Sequence, residues 1–251
     1  MIDLSGKVSL ITGSSRGIGR ATAVLFAKAR SNVAIGYRKN RTQAVKVAKE
    51  VESFGVSAME FAADVSRKSQ ADRLVNAVIE KFGRIDILVN NAGIWQEDPI
   101  DGLTEERLRE TIETNVNACF YTTSAVVPHM KRQKSGVIIY ISSTAGQRGE
   151  AFHSPYAASK GALQSLTKSL APELAEYNIR VNCVAPGWVE TDMSAPFLEG
   201  EGRNRVNEQI PLGRVGTPDE LAGPILFMAS DMATFITGEI LNVNGGAVLC
   251  G

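Results

Sequence analysis

The chain is poor in the residues that metal centres and disulfide frameworks require. It has two histidines, His129 and His153, and three scattered cysteines, Cys119, Cys183 and Cys250, with no Cys-x-x-Cys pair. An odd, widely spaced set of thiols does not make a disulfide framework, and no cluster has metal-ligand spacing. The cysteines therefore read as reduced thiols, and no metal is expected. The formal net charge is zero, and no recognised nucleic-acid motif is present, so nucleic acid is not an expected partner. No apolar run approaches the roughly 20 residues that span a bilayer, and the first residues lack the basic and apolar segments of a secretory leader. These absences predict a soluble, cytoplasmic protein with no membrane partner. Linkers, low-complexity tracts and internal repeats are missing as well. Residues 1–251 are accordingly expected to form one large α/β domain.

What is present is an alternation of short apolar runs with longer helix-like stretches. The runs predict strands at 7–11, 32–37, 57–62, 85–90, 136–141, 179–184 and 240–243. The stretches between them predict helices near 18–29, 41–54, 67–82, 104–130, 154–177 and 218–229. Near-continuous Val/Ile/Leu strands joined by helices imply a parallel sheet covered on both faces. Ligands of such sheets bind at the carboxyl ends of the strands. Gly13, Arg38, Asp64, Asn91, Ser143 and Pro186 would then share one edge.

Two motifs carry chemistry. Val8-Ser-Leu-Ile-Thr-Gly13-Ser-Ser-Arg-Gly17-Ile-Gly19 runs from a strand through a glycine turn into a helix. Glycines there admit a pyrophosphate close to the backbone, and the helix N-terminus holds its charge. The spacing differs from the commonest dinucleotide fingerprint. Gly13-Ser-Ser15-Arg-Gly17 also satisfies the nucleophile elbow of hydrolases. A triad on Ser15 would need an acid and then His129 or His153, which fall in a helix-like stretch and beside the second motif. Both histidines read as structural or surface residues.

The second motif is Ser143 at a strand end followed by Tyr156-x-x-x-Lys160. Five tyrosines at ordinary lysine frequency produce such a pair by chance about a quarter of the time, so its weight comes from its company. A phenol and an ammonium at i and i+4 share a helix face. The cation is expected to lower the phenol's pKa toward a useful acid/base value, and Ser143 can hydrogen-bond the same carbonyl oxygen. Charge is also asymmetric: from Leu4 to Lys49 there are ten basic residues and no acidic one, which favours an anionic ligand for the glycine-turn half.

In this order, Thr12-Gly-x-x-x-Gly-x-Gly19, Asn90-Asn-Ala-Gly93, Asn115, Ser143 and Tyr156-x-x-x-Lys160 resemble the short-chain dehydrogenase/reductase family. Pro186-Gly187, Thr191 and Val243-Asn-Gly-Gly246 extend the resemblance over nearly the whole chain. It implies a three-layer Rossmann-type domain with seven parallel strands, a nicotinamide cofactor and a homotetramer. It further implies that Tyr156 is the catalytic acid/base, that Ser143 polarises the substrate oxygen, and that Lys160 holds the nicotinamide ribose. Asn115 would hold a water linking Lys160 to solvent. The cofactor would lie along Gly13, Ser15, Arg16, Gly17, Ile18 and Gly19, then Tyr37 and Arg38. Asp64 and Val65 would meet the adenine, with Asn91, Ala92 and Gly93 as floor. Ile94, Pro186, Gly187, Val189 and Thr191 would flank the nicotinamide.

The end of the second strand, Tyr37-Arg-Lys-Asn40, lacks the acidic residue that NAD-preferring members place there. Arg38 and Arg16 can instead pair with a 2′-phosphate, so NADP(H) is the expected cofactor. Residues 187–210 occupy the family's variable lid, with Trp188, Met193, Phe197 and Leu198 as apolar candidates. Trp95, Gln147 and Phe152 are expected to line the same cleft. The segment Ile210-Pro-Leu-Gly-Arg-Val-Gly-Thr-Pro-Asp-Glu220 is similar to bacterial 3-oxoacyl-[acyl-carrier-protein] reductases. A 3-oxoacyl thioester is thus the first substrate expectation, with acyl carrier protein as a partner docked by Lys131, Arg132, Lys134 and Arg148. Against it, Tyr177 falls where many members have arginine, and Glu190, Asp192, Glu199 and Glu201 make the lid acidic. Like charges across an interface cost affinity, which keeps a small ketone, sugar or secondary alcohol in contention.

Overall fold

A computed structural model describes residues 2–249; Cys250 lies outside the described residues. Alternation within each strand sends successive side chains to opposite faces. In β1 (Val8–Thr12), Ile11 enters one apolar layer while Val8 and Leu10 enter the other. The same division splits β5 (Gly136–Ile141), with Ile139 and Ile141 on one side and Ile138 and Tyr140 on the other. The other strands are β2 (Asn32–Tyr37), β3 (Ala58–Ala62), β4 (Ile87–Asn90), β6 (Ile179–Pro186) and β7 (Ile240–Val243). All pair in parallel, in the order β3-β2-β1-β4-β5-β6-β7. The expected seven-stranded parallel sheet is therefore present.

Helices cover both faces. On one lie α1 (Gly17–Lys28), α2 (Arg41–Glu52) and α9 (Pro218–Ala229), whose Phe26, Val47 and Ile225 bury completely or nearly so. On the other lie α3 (Lys68–Phe82), α5 (Ala118–Gln133) and α7 (Ser154–Leu174), contributing Leu74, Val126 and Leu163. Each large side chain buried this way stabilises by about 1.5–3 kcal/mol. The buried Tyr140 hydroxyl is satisfied by Thr123 Oγ1 at 2.8 Å. Among the described residues no helix is long and apolar enough to cross a membrane.

The stretch expected as one helix over 104–130 is three pieces: α4 (Glu105–Ile112), a π-helical turn over Glu113–Asn117, and α5. A π-turn inserts a residue into the helical repeat, often at a functional position, and this one carries Asn115. Two short helices were not foreseen: α6 (Ala145–Arg148) after β5 and α8 (Glu201–Glu208) within the lid. The chain winds outward from β1 to β3, then returns to place β4 on the other side of β1. The crevice at that reversal is where doubly wound sheets bind ligands.

Candidate active site

Loops at the carboxyl ends of the strands enclose a cavity of about 530 Å³, a volume within the range of small-molecule sites. Its floor is one rigid unit. Thr12 Oγ1 accepts hydrogen bonds from the backbone N–H groups of Asn91 and Ala92, both at 3.0 Å. Asn91 Nδ2 donates to the carbonyls of Thr12 and Gly13 at 2.9 and 3.1 Å. Gly13 has φ +64°, and a Cβ there would stand 2.9 Å from Ala92 Cα, so glycine alone permits this contact. Gly19 serves packing: its Cβ would meet Asn91 Nδ2 at 2.5 Å. Unlike the expectation, it does not line the cavity: it is buried on the face of the helix that packs on Asn91.

The first turn of α1 has no side-chain cap and no acidic residue, so its N–H donors are available to an anion. Ser15, Arg16, Gly17 and Ile18 line the cavity there. Tyr37 and Arg38 come from the end of β2, Asp64 and Val65 from β3, and Asn91, Ala92, Gly93 and Ile94 from β4. Pro186, Gly187, Val189 and Thr191 complete the wall from β6. The Arg16 guanidinium lies 3.2 Å from Asp192 on the lid, whereas that of Arg38 has no ion-pair partner among the described residues. A helix N-terminus, glycines at close approach and a basic end fit an extended dinucleotide phosphate.

Ser143, Tyr156 and Lys160 line the same cavity. Ser143 hydrogen-bonds Tyr156. Its neighbour Ser142 faces the other way, donating to the Lys160 carbonyl at 2.8 Å. Lys160 is buried, its Nζ donating to the Ile141 carbonyl at 2.9 Å and lying 5.6 Å from the centre of the Tyr156 ring. The expected lowering of the tyrosine pKa is corrected here. Burial pushes Tyr156 up to about 12, against a lowering hydrogen bond from Ser143. Burial also lowers Lys160, and the ammonium is engaged with a strand carbonyl rather than the phenol oxygen. In the protein alone Tyr156 is thus a proton donor through the neutral range.

Asn115, fully buried in the π-turn, does not line the cavity. Its Oδ1 accepts from the Ile94 N–H at 2.8 Å, and its Nδ2 donates to the Ile94 carbonyl at 2.9 Å and to Ser159 Oγ at 3.0 Å. With the side chain fully engaged, its local role is to pin Ile94 between β4 and α7. The N115A variant leaves the half-buried Ile94 N–H and carbonyl unpaired, each costing up to about 1–3 kcal/mol. Thermal unfolding should show a loss of roughly 5–15 °C; a change below about 2 °C would mean that the Ile94 peptide finds other partners.

On the substrate side, Trp95, Trp188 and Met193 line the cavity. Phe197 packs on Trp95, ring centres 4.5 Å apart. Leu198 instead belongs to a small apolar core with Val206, Ile210 and Val215. Two expectations fail. Gln147 turns toward β7, donating to Asn242 Oδ1 at 2.7 Å. Phe152 has φ +64° and is 65% exposed, because the left-handed backbone turns its ring outward. The sequence reading missed Glu150, which lines the cavity; its nearness to Tyr156 depends on that backbone twist. Nor do Lys131, Arg132 and Lys134 border the mouth of their own chain. They end α5 just before β5 begins, roughly 20 Å from Ser143 at about 3.3 Å per strand residue. Of the four basic candidates, Arg148 alone lines the cavity.

No triad forms on Ser15. His129 contacts Arg132 at 2.9 Å on α5, and His153 stacks on Trp95; neither hydrogen-bonds Ser15 among the described residues. No grouping of histidine, cysteine or carboxylate suited to a metal occurs there either.

Comparison with known proteins agrees with this geometry. A family model described as enoyl-(acyl carrier protein) reductase matches residues 13–248. A 3-oxoacyl-[acyl-carrier-protein] reductase of Thermotoga maritima is 41% identical, covering 98% of this chain and 99% of its own. An L-rhamnose 1-dehydrogenase (NAD(P)(+)) of Azotobacter vinelandii is also 41% identical, covering 97% of each. A solved short-chain dehydrogenase/reductase of Brucella melitensis, described as a glucose/ribitol dehydrogenase, superposes with a TM-score of 0.92 at 33% identity over 99% of both chains.

Proposed function

The chain belongs to the short-chain dehydrogenase/reductase family, oxidoreductases that use a nicotinamide cofactor, and we propose that this member reduces a ketone to a secondary alcohol with NADPH. The observation that carries the reading is the convergence of Ser143, Tyr156 and Lys160 on the cavity that α1 and Arg38 also border. When bound, the cofactor supplies a hydride to the carbonyl carbon. Tyr156 donates its proton to the carbonyl oxygen, and Ser143 Oγ hydrogen-bonds the same oxygen as charge develops on it. Lys160 holds the ribose, and Asn115 keeps the Ile94 wall in register. Arg38 binds the 2′-phosphate, with no carboxylate at the end of β2 to repel it.

The relatives named as 3-oxoacyl-[acyl-carrier-protein] reductases support a 3-oxoacyl thioester as substrate. Two features of the mouth favour the second reading, a small ketone or sugar. Its lid carries Glu190, Asp192, Glu199 and Glu201, and three of the four basic docking candidates lie at the far end of the sheet. Initial rates of NADPH oxidation with acetoacetyl thioester and with dihydroxyacetone, beside matched NADH assays, test both levels. Turnover of either compound with NADPH preferred supports the reductase. Tight NADPH binding without oxidation by any carbonyl compound would leave a non-catalytic NADP(H)-binding protein instead.

A further inference from the structure

The loop from Gly149 to His153 is built around an unusual backbone. Phe152, a bulky residue, holds φ +64°, a left-handed conformation that costs free energy unless its surroundings enforce it. Here the Phe152 carbonyl accepts a 2.7 Å hydrogen bond from the Asp98 N–H, and the buried Asp98 side chain is itself held by Arg107. The twist turns Phe152 out and its neighbours in. His153 is buried, its ring stacked on Trp95 with centres 4.7 Å apart and planes 14° apart. Glu150 lines the cavity.

This corner is polar yet incompletely satisfied. His153 Nδ1 lies 3.0 Å from the Ala151 carbonyl, which places a proton on Nδ1. His153 Nε2 is buried without a hydrogen-bond partner. The Glu150 carboxyl accepts a hydrogen bond from the Trp95 indole and lies near His153 and Arg148, and its charge acts on Tyr156. Glu150 is half-buried, and a carboxylate has acceptor sites beyond the one the indole fills, open on the cavity side to a further donor. An acyl thioester chain offers no such donor.

We propose that Glu150 is a specificity residue whose carboxylate accepts a hydrogen bond from a substrate hydroxyl, making the substrate a small polyhydroxylated ketone. This deepens, and rests on, the carbonyl-reductase reading. Trp95 supplies a flat wall for the carbon skeleton, and His153 behind it fixes that wall and the loop that carries Glu150. A site built to bind a hydroxyl discriminates strongly against an analogue without one.

The test compares kcat/KM for dihydroxyacetone with that for 2,3-butanedione, a ketone of similar size without hydroxyls, in the wild type, E150A and E150Q. Wild type should favour dihydroxyacetone. E150A should lower the ratio about 10- to 100-fold, the value of a hydrogen bond to a charged group, chiefly through KM. E150Q, which keeps an acceptor oxygen, should recover part of it. Equal losses on both ketones would assign Glu150 a structural role, and an unchanged ratio would place the hydroxyl elsewhere; either overturns the proposal. Circular dichroism of both variants separates misfolding from altered recognition. Should the wild type bind NADPH yet reduce neither ketone, this inference fails, and the underlying reductase reading fails with it only where acetoacetyl thioester is inert as well.

Discussion

Replacing Tyr156 with phenylalanine is expected to lower kcat at least about 10³-fold, within the range that a positioned acid/base contributes, while the Kd for NADPH moves less than about threefold. The separation follows from where the hydroxyl sits. It hydrogen-bonds Ser143 on the substrate side, whereas the cofactor contacts proposed for Gly13, Gly17 and Arg38 do not involve it. The raised pKa sets the sign of the pH dependence. A phenol pushed up to about 12 by burial stays protonated at neutral pH, so proton donation to a carbonyl should be flat through pH 7–9 and decline as pH rises through the phenol's pKa. Burial stability follows the same sign. The contribution is full below the unfolded value of about 10 and is lost as pH rises toward the folded value. Titrating wild type and Y156F by kcat and by ligand-quenched tryptophan fluorescence checks both halves. Y156F retaining more than a tenth of the wild-type kcat would remove Tyr156 from the chemistry.

The second large effect concerns cofactor choice. R38D should lower kcat/KM for NADPH by roughly 10²- to 10³-fold and leave NADH the better cofactor. The variant removes a charge-assisted pair and adds a repelling carboxylate. Arg38 is the chosen position because its guanidinium has no ion-pair partner among the described residues, while that of Arg16 is held by Asp192. Steady-state kinetics with both cofactors decides it. A selectivity ratio that stays within threefold of the wild type would assign the phosphate to another cation.

The sheet was legible because strand period and length speak directly through burial. The expected bounds coincide with β2, β5 and β7, whose apolar residues alternate between the two layers. At β4 the expected start at residue 85 was early by two residues: the strand begins at Ile87, with the Asp86 backbone already bonded to Val8 and Val137 at its entrance. At β6 it stopped short, because Ala185 and Pro186 pair with Asn242 and Val243. The π-turn at Asn115 left no mark in the hydrophobic pattern. Its one extra residue per turn is small beside the scatter of apolar spacing.

The two halves of the site differ in the same way. Glycines that must sit against backbone announce the cofactor side, since Gly13 tolerates no Cβ. The substrate side depends on φ at one non-glycine residue. Phe152 reads as an apolar wall and Glu150 carries no signal, yet the left-handed turn at Phe152 leaves Phe152 exposed while Glu150 lines the cavity. Gln147 was misplaced for a related reason: α6 starts a helix where a loop was expected, and carries that side chain toward Asn242. The pKa of Tyr156 went the other way from expectation because spacing along a helix says which groups share a face, not which is better solvated.

Isotope transfer tests the central claim most directly. Wild-type protein is supplied with NADPH doubly deuterated at C4 and the ketone it reduces fastest, and the alcohol is examined by mass spectrometry. The account predicts one deuterium at the carbinol carbon, with product formation nearly abolished in Y156F. An alcohol without deuterium, or one formed equally fast by Y156F, would contradict it.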